Sequence, residues 1–298
     1  MSEKIIKEVE ELSKKNMDED KVEPNSVPSV LYHYTNLSAL VGIIETKRLW
    51  ATHTGFLNDK SEVKYSFEDI IIPVMMEFPQ NKVFKDILKG INELNKKICA
   101  YVTSFSRKGD NLGQWRGYGK GQNSVCIGFN AEKFASNDND KEHGLLRKIE
   151  YKKENQEESI RNYLSEVDKV ISKCPNNLDV DIELYARLLS FPYYFSAKTK
   201  CDFWEEEAEW RLIYLAEYCK FKYIEQEFRI SRADLVPYYA IDPFNSEEIF
   251  KKEGISEIIL PQSDKFELSK CTIREFLDKN SFDFEKIEIK ESKIPIIY

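Results

Sequence analysis

ICAYVTSFSRKGDNLGQWRGYGKGQNSVCIGF, residues 98–129, holds two short strands and the segment that joins them, and its reading decides the fold. Ile98 to Ser106 is apolar and β-rich, with hydroxyl groups along Tyr101-Val102-Thr103-Ser104-Phe105-Ser106, and Val125 to Phe129 is a second compact strand. The glycine-rich segment Gly113 to Gly121 between them reads as a functional loop. Toward the N-terminus, Val30-Leu31-Tyr32-His33-Tyr34 is strand-like, Thr35-Asn36 is a capping signal, and a helix is expected over Leu37 to Lys47. An extended piece follows from Arg48 to Thr54, then the loop Gly55-Phe56-Leu57-Asn58-Asp59. Residues 61–98 read as helices broken near Pro73 and Pro79, because Phe, Ile and Leu recur at three-to-four spacing. Toward the C-terminus, a helical pattern from Glu154 to about Leu189 gives way to Phe203-Trp204-Glu205-Glu206-Glu207-Ala208-Glu209-Trp210-Arg211 and the strand Leu212 to Leu215. Val236 to Asp242 and Ile255 to Pro261 read as strands, Lys265 to Lys279 as a helix, and Lys286 to Tyr298 as an edge-like segment. Short strands separated by helices of uneven length, without βαβ alternation, specify an α+β fold: a mixed, mainly antiparallel sheet with inserted helices.

Residues 1–28 stand apart as a short amphipathic helix with Ile5, Val9 and Leu12 at helical spacing, then a polar linker from Asn16 to Pro28. The helix docks on its own domain, the favoured placement, or serves a partner or a homo-oligomer. Residues 29–298 form one domain. With 298 residues and 42% hydrophobic content the chain buries a substantial core, which excludes disordered and fibrous classes. The net charge of -8 repels nucleic acid at long range, so nucleic-acid binding is not the default. The six cysteines contain no CxxC pair and read as reduced, mostly buried thiols. MSEKIIKEVEELSKKN interleaves acids and bases, and no apolar run reaches membrane-span length, so a cytoplasmic protein without a membrane partner is expected. GxGxxG and GxxxxGK[ST] phosphate loops are both missing at strand-to-helix turns.

Two groups carry candidate chemistry. His33, one of three histidines, sits within a strand between tyrosines and is either a satisfied core residue or a catalytic one. Glu207 and Glu209 point the same way on an extended backbone, and paired carboxylates suit charge stabilisation with proton handling. The alternative is a solvated edge with Arg211 as salt-bridge partner. Trp115, Arg116 and Tyr118 lie on the glycine-rich loop, where a ring and a guanidinium form a lid over a flat ligand, or Trp115 is a packed anchor. Asn58-Asp59 with Glu62 reads as a capped turn, and no metal site is expected.

The ordered set LYHYT, GFLNDKSE, TSFS, WRGYGKG with VCIGF, and WEEEAEWRLIY resembles the bacterial family called domain of unknown function 2971, from about Val30 to Tyr214. More distantly it resembles the ADP-ribosyltransferase superfamily, with its first-strand His or Arg, middle Tyr or Ser-Thr-Ser strand and later Glu. That resemblance implies an ADP-ribosyltransferase-like fold and NAD as substrate. It makes Glu209 the catalytic carboxylate, with Glu207 in the first place of the Glu-x-Glu turn and His33 on a ribose. It further implies contacts from Tyr34, Ser104 and Ser106, nicotinamide stacking by Trp115 or Tyr118, and pyrophosphate binding by Arg107 or Arg116. The chain departs from the superfamily pattern by pairing a His with a Ser strand and Glu-x-Glu; Tyr118 or Tyr101 would fill the middle place of the His branch. The implied function is ADP-ribosyl transfer to an unidentified protein or nucleic-acid acceptor, or NAD hydrolysis, as an effector in bacterial toxin or antiphage defence. The alternatives are a metal-dependent nuclease or hydrolase using Asp59, Glu207 and Glu209, and a non-catalytic ligand-binding domain.

Overall fold

Along Tyr101–Ser106 side chains alternate between two interiors: Tyr101 and Phe105 enter one apolar core, Val102 the other, as the period of two in extended backbone requires. The computed structural model describes residues 2–57, 62–94, 100–118, 123–134, 144–173, 182–215, 225–231 and 234–295. The first part of the chain gives α1 (Ser2–Glu19), β1 (Val30–Asn36), α2 (Leu37–Thr46), β2 (Leu49–His53) and α3 (Glu62–Tyr65). After a π-helical stretch (Ser66–Ile71) come α4 (Ile72–Met76), α5 (Lys82–Leu94), β3 (Tyr101–Ser106), α6 (Leu112–Tyr118), β4 (Ser124–Asn130) and β5 (Leu145–Lys148). Helices α7 (Lys153–Ile171) and α8 (Ile182–Lys198) precede a 3-10 turn (Asp202–Glu207) and β6 (Glu209–Tyr214). The chain continues with β7 (Glu227–Ser231), β8 (Asp234–Ile241), α9 (Glu247–Ile249), β9 (Ile255–Leu260), α10 (Phe266–Lys279) and β10 (Glu288–Glu291).

Among the described residues the strands form one sheet in the order β10-β9-β4-β1-β3-β2-β8-β7, with β5 attached through β6 to β3. Every pairing is antiparallel except β10 with β9, so the fold is mixed α/β with a mostly antiparallel open sheet. One edge of β3 pairs with β6 along its whole length, Tyr101↔Tyr214 to Ser106↔Glu209. Its other edge is shared. There β2 takes Tyr101 and Val102, while β1 meets β3 only at Tyr32↔Ser106. Along Thr103–Phe105 that edge has no strand partner, and the sheet parts into two halves.

Helices α1, α4, α5, α7 and α8 cover one side of the β3–β6 pair, and α2 and α10 pack in the second core. Leu31 and Ile127, both 0% exposed, anchor the β1–β4 half, each stabilising by about 1.5–3 kcal/mol through removal from water. Asn36 caps α2, its side chain accepting from Ala39 N at 2.9 Å, as its sequence position predicts.

Several expectations are corrected. Helix α1 continues through Asn16 to Glu19, because Met17 is buried with Ile5, Ile6 and Val9 in the core against α7 and α8. Its apolar face packs inside the molecule, the favoured placement. Pro73 does not break its helix: it stands in the first turn of α4, where a missing N–H costs least, directly after the π-helical stretch. The glycine-rich loop begins as α6, with Asn111 Oδ1 accepting from Gln114 N at 3.2 Å and Trp115 fully buried beneath it. A cap and one large buried ring outweigh the unfavourable helix propensity of glycine there. Strands β5 and β7 add to the expected set: the charged LLRK carries little alternation, and EFRIS, although it alternates polar and apolar side chains, is only five residues long. Of the described cysteines Cys126 is buried, Cys201 half-buried and Cys271 exposed, so burial does not extend to all of them. His143, Cys99, Cys174, Cys219, Asn58, Asp59 and the end of the glycine-rich segment lie outside the described residues.

Candidate functional site

Where β1 and β3 part, a cavity of about 420 Å³ opens, lined among others by His33, Asn36, Trp50, Thr52, Glu62, Ser104, Tyr118, Arg211 and Arg229. A recess of about 50 Å³ adjoins it, lined by Tyr32, Ser106, Gln114, Glu207 and Glu209. His33, Tyr34, Ser104 and Tyr118 line both spaces, which makes them one cleft. A larger groove of about 1120 Å³ along the start of α10 holds none of the residues singled out from the sequence.

His33 sits at the gap in the sheet. Its Nδ1 lies 2.9 Å from the Ser104 carbonyl oxygen, an atom that β3 leaves without a strand partner on this edge. A carbonyl only accepts, so Nδ1 carries the proton and Nε2 of the neutral ring is an acceptor. Burial pushes the His33 pKa below its usual value, with Arg229 nearby acting in the same direction, so the ring is neutral at pH 7.

The carboxylate pair is built differently from the extended arrangement expected. Glu207 ends a 3-10 turn, Ala208 adopts the left-handed region with φ 46 and ψ 50, and the strand starts only at Glu209. A non-glycine residue there costs about 1–2 kcal/mol, and the turn is held by Ala208 N donating to Glu205 O and Arg107 N donating to Ala208 O, both at 3.0 Å. The two carboxylates meet through Lys200, whose Nζ lies 2.5 Å from Glu207 Oε2, 3.1 Å from Glu209 Oε2 and 3.0 Å from Glu62 Oε1. Arg211 adds Nε to Glu209 Oε1 and Nη2 to Glu62 Oε2, each at 2.6 Å. Lys200 and Arg211 are each 1% exposed, so the partnership of Glu209 with Arg211 is a buried one and not the solvated edge.

Charge is unevenly distributed across this cluster. Burial alone would raise the Glu209 pKa, but Arg211 and Lys200, with a hydrogen bond from Ser104, hold it down to about 2. Glu209 is a permanent anion with both oxygens engaged. Glu207 has Lys200 on one oxygen and the Tyr118 hydroxyl, at 3.4 Å, on the other; burial, opposed by Lys200, leaves its pKa above the usual carboxylate value. Glu207 therefore faces the recess as the carboxylate with the greater spare acceptor capacity.

The remaining selected residues divide sharply. Ser106 donates to the Glu207 carbonyl at 2.6 Å and fixes the turn. Tyr34 donates to Lys108 O at 2.7 Å and accepts from Asn111 N at 2.9 Å, so its hydroxyl is committed to the α6 approach even though its ring lines the cleft. Trp115 is a packed anchor: its ring is 0% exposed, stands edge-on to Tyr34, and donates Nε1–H to Asp110 at 2.9 Å. Stacking on a ligand is closed to it. Arg107 and Arg116 are exposed and line neither space, so neither reaches a ligand in this cleft. Tyr101, the alternative middle residue, lines neither space and accepts from Gln226 Nε2 at 2.5 Å. The Glu62, Lys200 and Arg229 roles were missed. Only Arg211 had a local signal, two residues after Glu209 on the same face of a strand.

For a metal-dependent hydrolase, the three carboxylates that approach one another already share the ammonium of Lys200, which occupies the place of a common cation. Among the described residues no group of three or more His, Cys, Asp or Glu is arranged to hold a metal ion, and Asp59 lies outside them.

Residues 114–212 match a family model described as protein of unknown function (DUF2971). The matched third of the chain runs from α6 to β6 and includes Tyr118, Lys200, Glu207, Glu209 and Arg211, which supports the resemblance to that family over this segment. No curated protein and no solved structure matches the chain. No described helix is long and apolar enough to cross a membrane.

Proposed function

We propose that this protein cleaves the nicotinamide–ribose bond of NAD and passes ADP-ribose to water or to an acceptor. One observation carries this: His33 from β1 and the Glu207–Glu209 pair from the start of β6, remote in the chain, line the same cleft. As the C–N bond breaks, its electron pair leaves with nicotinamide and positive charge grows on the ribose. A carboxylate placed there is stabilising in the transition state more than in the ground state. Glu207 fills that position because Glu209 is saturated by Arg211 and Lys200. When water or an acceptor hydroxyl donates an electron pair to the anomeric carbon, its proton passes to Glu207, whose raised pKa favours receiving it. His33 Nε2 accepts from a ribose hydroxyl, and the Tyr118 ring supplies the aromatic wall that Trp115 cannot.

The test is quantitation of free nicotinamide after mixing the purified chain with NAD. Wild type releases nicotinamide, Glu207→Gln lowers the rate by about 10²–10⁴-fold, and circular dichroism shows the variant folded. No release by wild type, or equal rates for a folded Glu207→Gln, overturns the proposal.

A further inference from the structure

We infer that Arg229 is the phosphate-binding residue of the cleft, so that the cavity takes a nucleotide in preference to a nucleoside. The sheet places it there. Register sets Arg229 opposite Val236, Glu227 opposite Tyr238, and Tyr238 in turn opposite Thr52, which brings the β7 side chains across β8 onto the face of β2 that carries Trp50 and Thr52. The guanidinium carbon lies 5.2 Å from the Trp50 ring centroid and 5.6 Å from that of Tyr238, so two aromatic faces hold the plane of the group. Trp50 is itself seated tightly on α2: a Cβ on Gly42 would stand 2.7 Å from its Cζ2.

Among the described residues Arg229 lacks an anion. It has no carboxylate partner among them, and its hydrogen bonding there consists of Nη2 donating to Thr52 Oγ1 at 2.7 Å. Its Nε–H is buried without any partner. Glu227, on the same face, is engaged by the Tyr238 hydroxyl at 2.6 Å. The contrast with the other arginine of this cavity is plain, since Arg211 is neutralised by Glu62 and Glu209. A half-buried cation left unpaired in an aromatic frame is costly, and a bound anion removes that cost. The planar fork suits two phosphate oxygens at once. Burial also lowers the Arg229 pKa, the direction expected of a cation without a local counter-ion. Arg229 thus takes the role that sequence placed on Arg107 or Arg116. The inference rests on the NAD proposal only for the identity of the nucleotide.

Calorimetry on the full chain tests it, with adenosine, ADP and inorganic pyrophosphate as titrants and wild type, Arg229→Gln and Arg229→Lys as proteins. Wild type binds ADP at least about tenfold more tightly than adenosine, the scale of a hydrogen bond to a charged group. Arg229→Gln brings that ratio close to one, and Arg229→Lys falls between, keeping the charge but not the fork. Because the ratio is taken within one protein, a partly unfolded variant scales both affinities alike and does not disturb it. Pyrophosphate binding beside ADP binding identifies a free-standing phosphate site, whereas ADP binding without pyrophosphate binding identifies a nucleotide site; both support Arg229 if Arg229→Gln removes the advantage of ADP over adenosine. Equal affinities for ADP and adenosine in wild type, an unchanged ratio in Arg229→Gln, or no binding of any titrant overturns it. Nicotinamide release from the same samples separates the two proposals. Phosphate binding through Arg229 without release removes the NAD chemistry and keeps the site, while release with an unchanged ratio in Arg229→Gln removes the site and keeps the chemistry.

Discussion

Lys198 and Lys200, at and just beyond the end of α8, feed two ion clusters whose balance of charge differs. In the first, Lys198 Nζ and the Tyr194 hydroxyl each reach Asp20 at 2.5 Å, and Arg147 turns its remaining donors to the Tyr194 hydroxyl and to the carbonyls of Met17 and Leu146. Two cations and one carboxylate are thereby closed on backbone and tyrosine oxygens, and none of these groups borders the cleft. In the second, Lys200 and Arg211 face three carboxylates, Glu62, Glu207 and Glu209, and the surplus one, Glu207, looks into the recess. Strong ion pairing is common to both. What separates the cluster that pins α1 from the one beneath the cleft is whether its hydrogen-bonding capacity is used up internally or left aimed at a space a ligand can enter.

Removing a shared cation is expected to have the largest effect. Arg211→Met strips Glu62 and Glu209 of a common partner in a dry interior, so it destabilises by about 3–5 kcal/mol, read by urea denaturation. A loss below about 1 kcal/mol would show that Lys200 alone satisfies both acids. The matching change in the other cluster is gentler. Asp20→Asn keeps the shape of the side chain at a site with 31% side-chain exposure and is expected to cost about 1–3 kcal/mol. It leaves nicotinamide release unaltered; a variant that is folded yet slow would tie the α1 cluster to the chemistry and erase the distinction. A further expectation is a pH slope. Glu209, held at about 2 against an ordinary 4.5, binds fewer protons folded than unfolded, so its contribution is present above about pH 4.5 and is lost as pH falls toward 2. The stability gap between wild type and Glu209→Gln is therefore expected to narrow over that interval, and a gap independent of pH would mean that the glutamate acts through packing alone.

Much of this was legible locally. The strands at Tyr101–Ser106 and Val125–Phe129 follow from their apolar, β-favouring side chains, the start of α2 follows from Asn36, and Arg211 follows Glu209 on one face because strand side chains repeat every two residues. His33 and the glutamate pair stood out as chemistry-bearing groups. Other parts were not legible. Trp115 suits a lid and an anchor equally by its sequence context, and the neighbours that bury it, Tyr34, Cys126 and Ile259, come from three strands, β1, β4 and β9. Glu62 resembled a turn cap, yet it is 5% exposed against Lys200 and Arg211. Arg229 carried no local mark, since its significance lies in having no carboxylate partner among the described residues on a face where Glu227 is engaged by Tyr238.

The amino-acid order by itself determined which segments extend or coil and which side chains share a face, because those preferences act over a few residues through sterics, capping and burial period. Tertiary structure alone decided that β3 divides one edge between β1 and β2, that a cavity forms in the gap, and which arginine has no counter-ion beside it among the described residues. Those outcomes depend on strand register between residues far apart in the chain, and a shift of one position would send each of these side chains to the opposite face of the sheet.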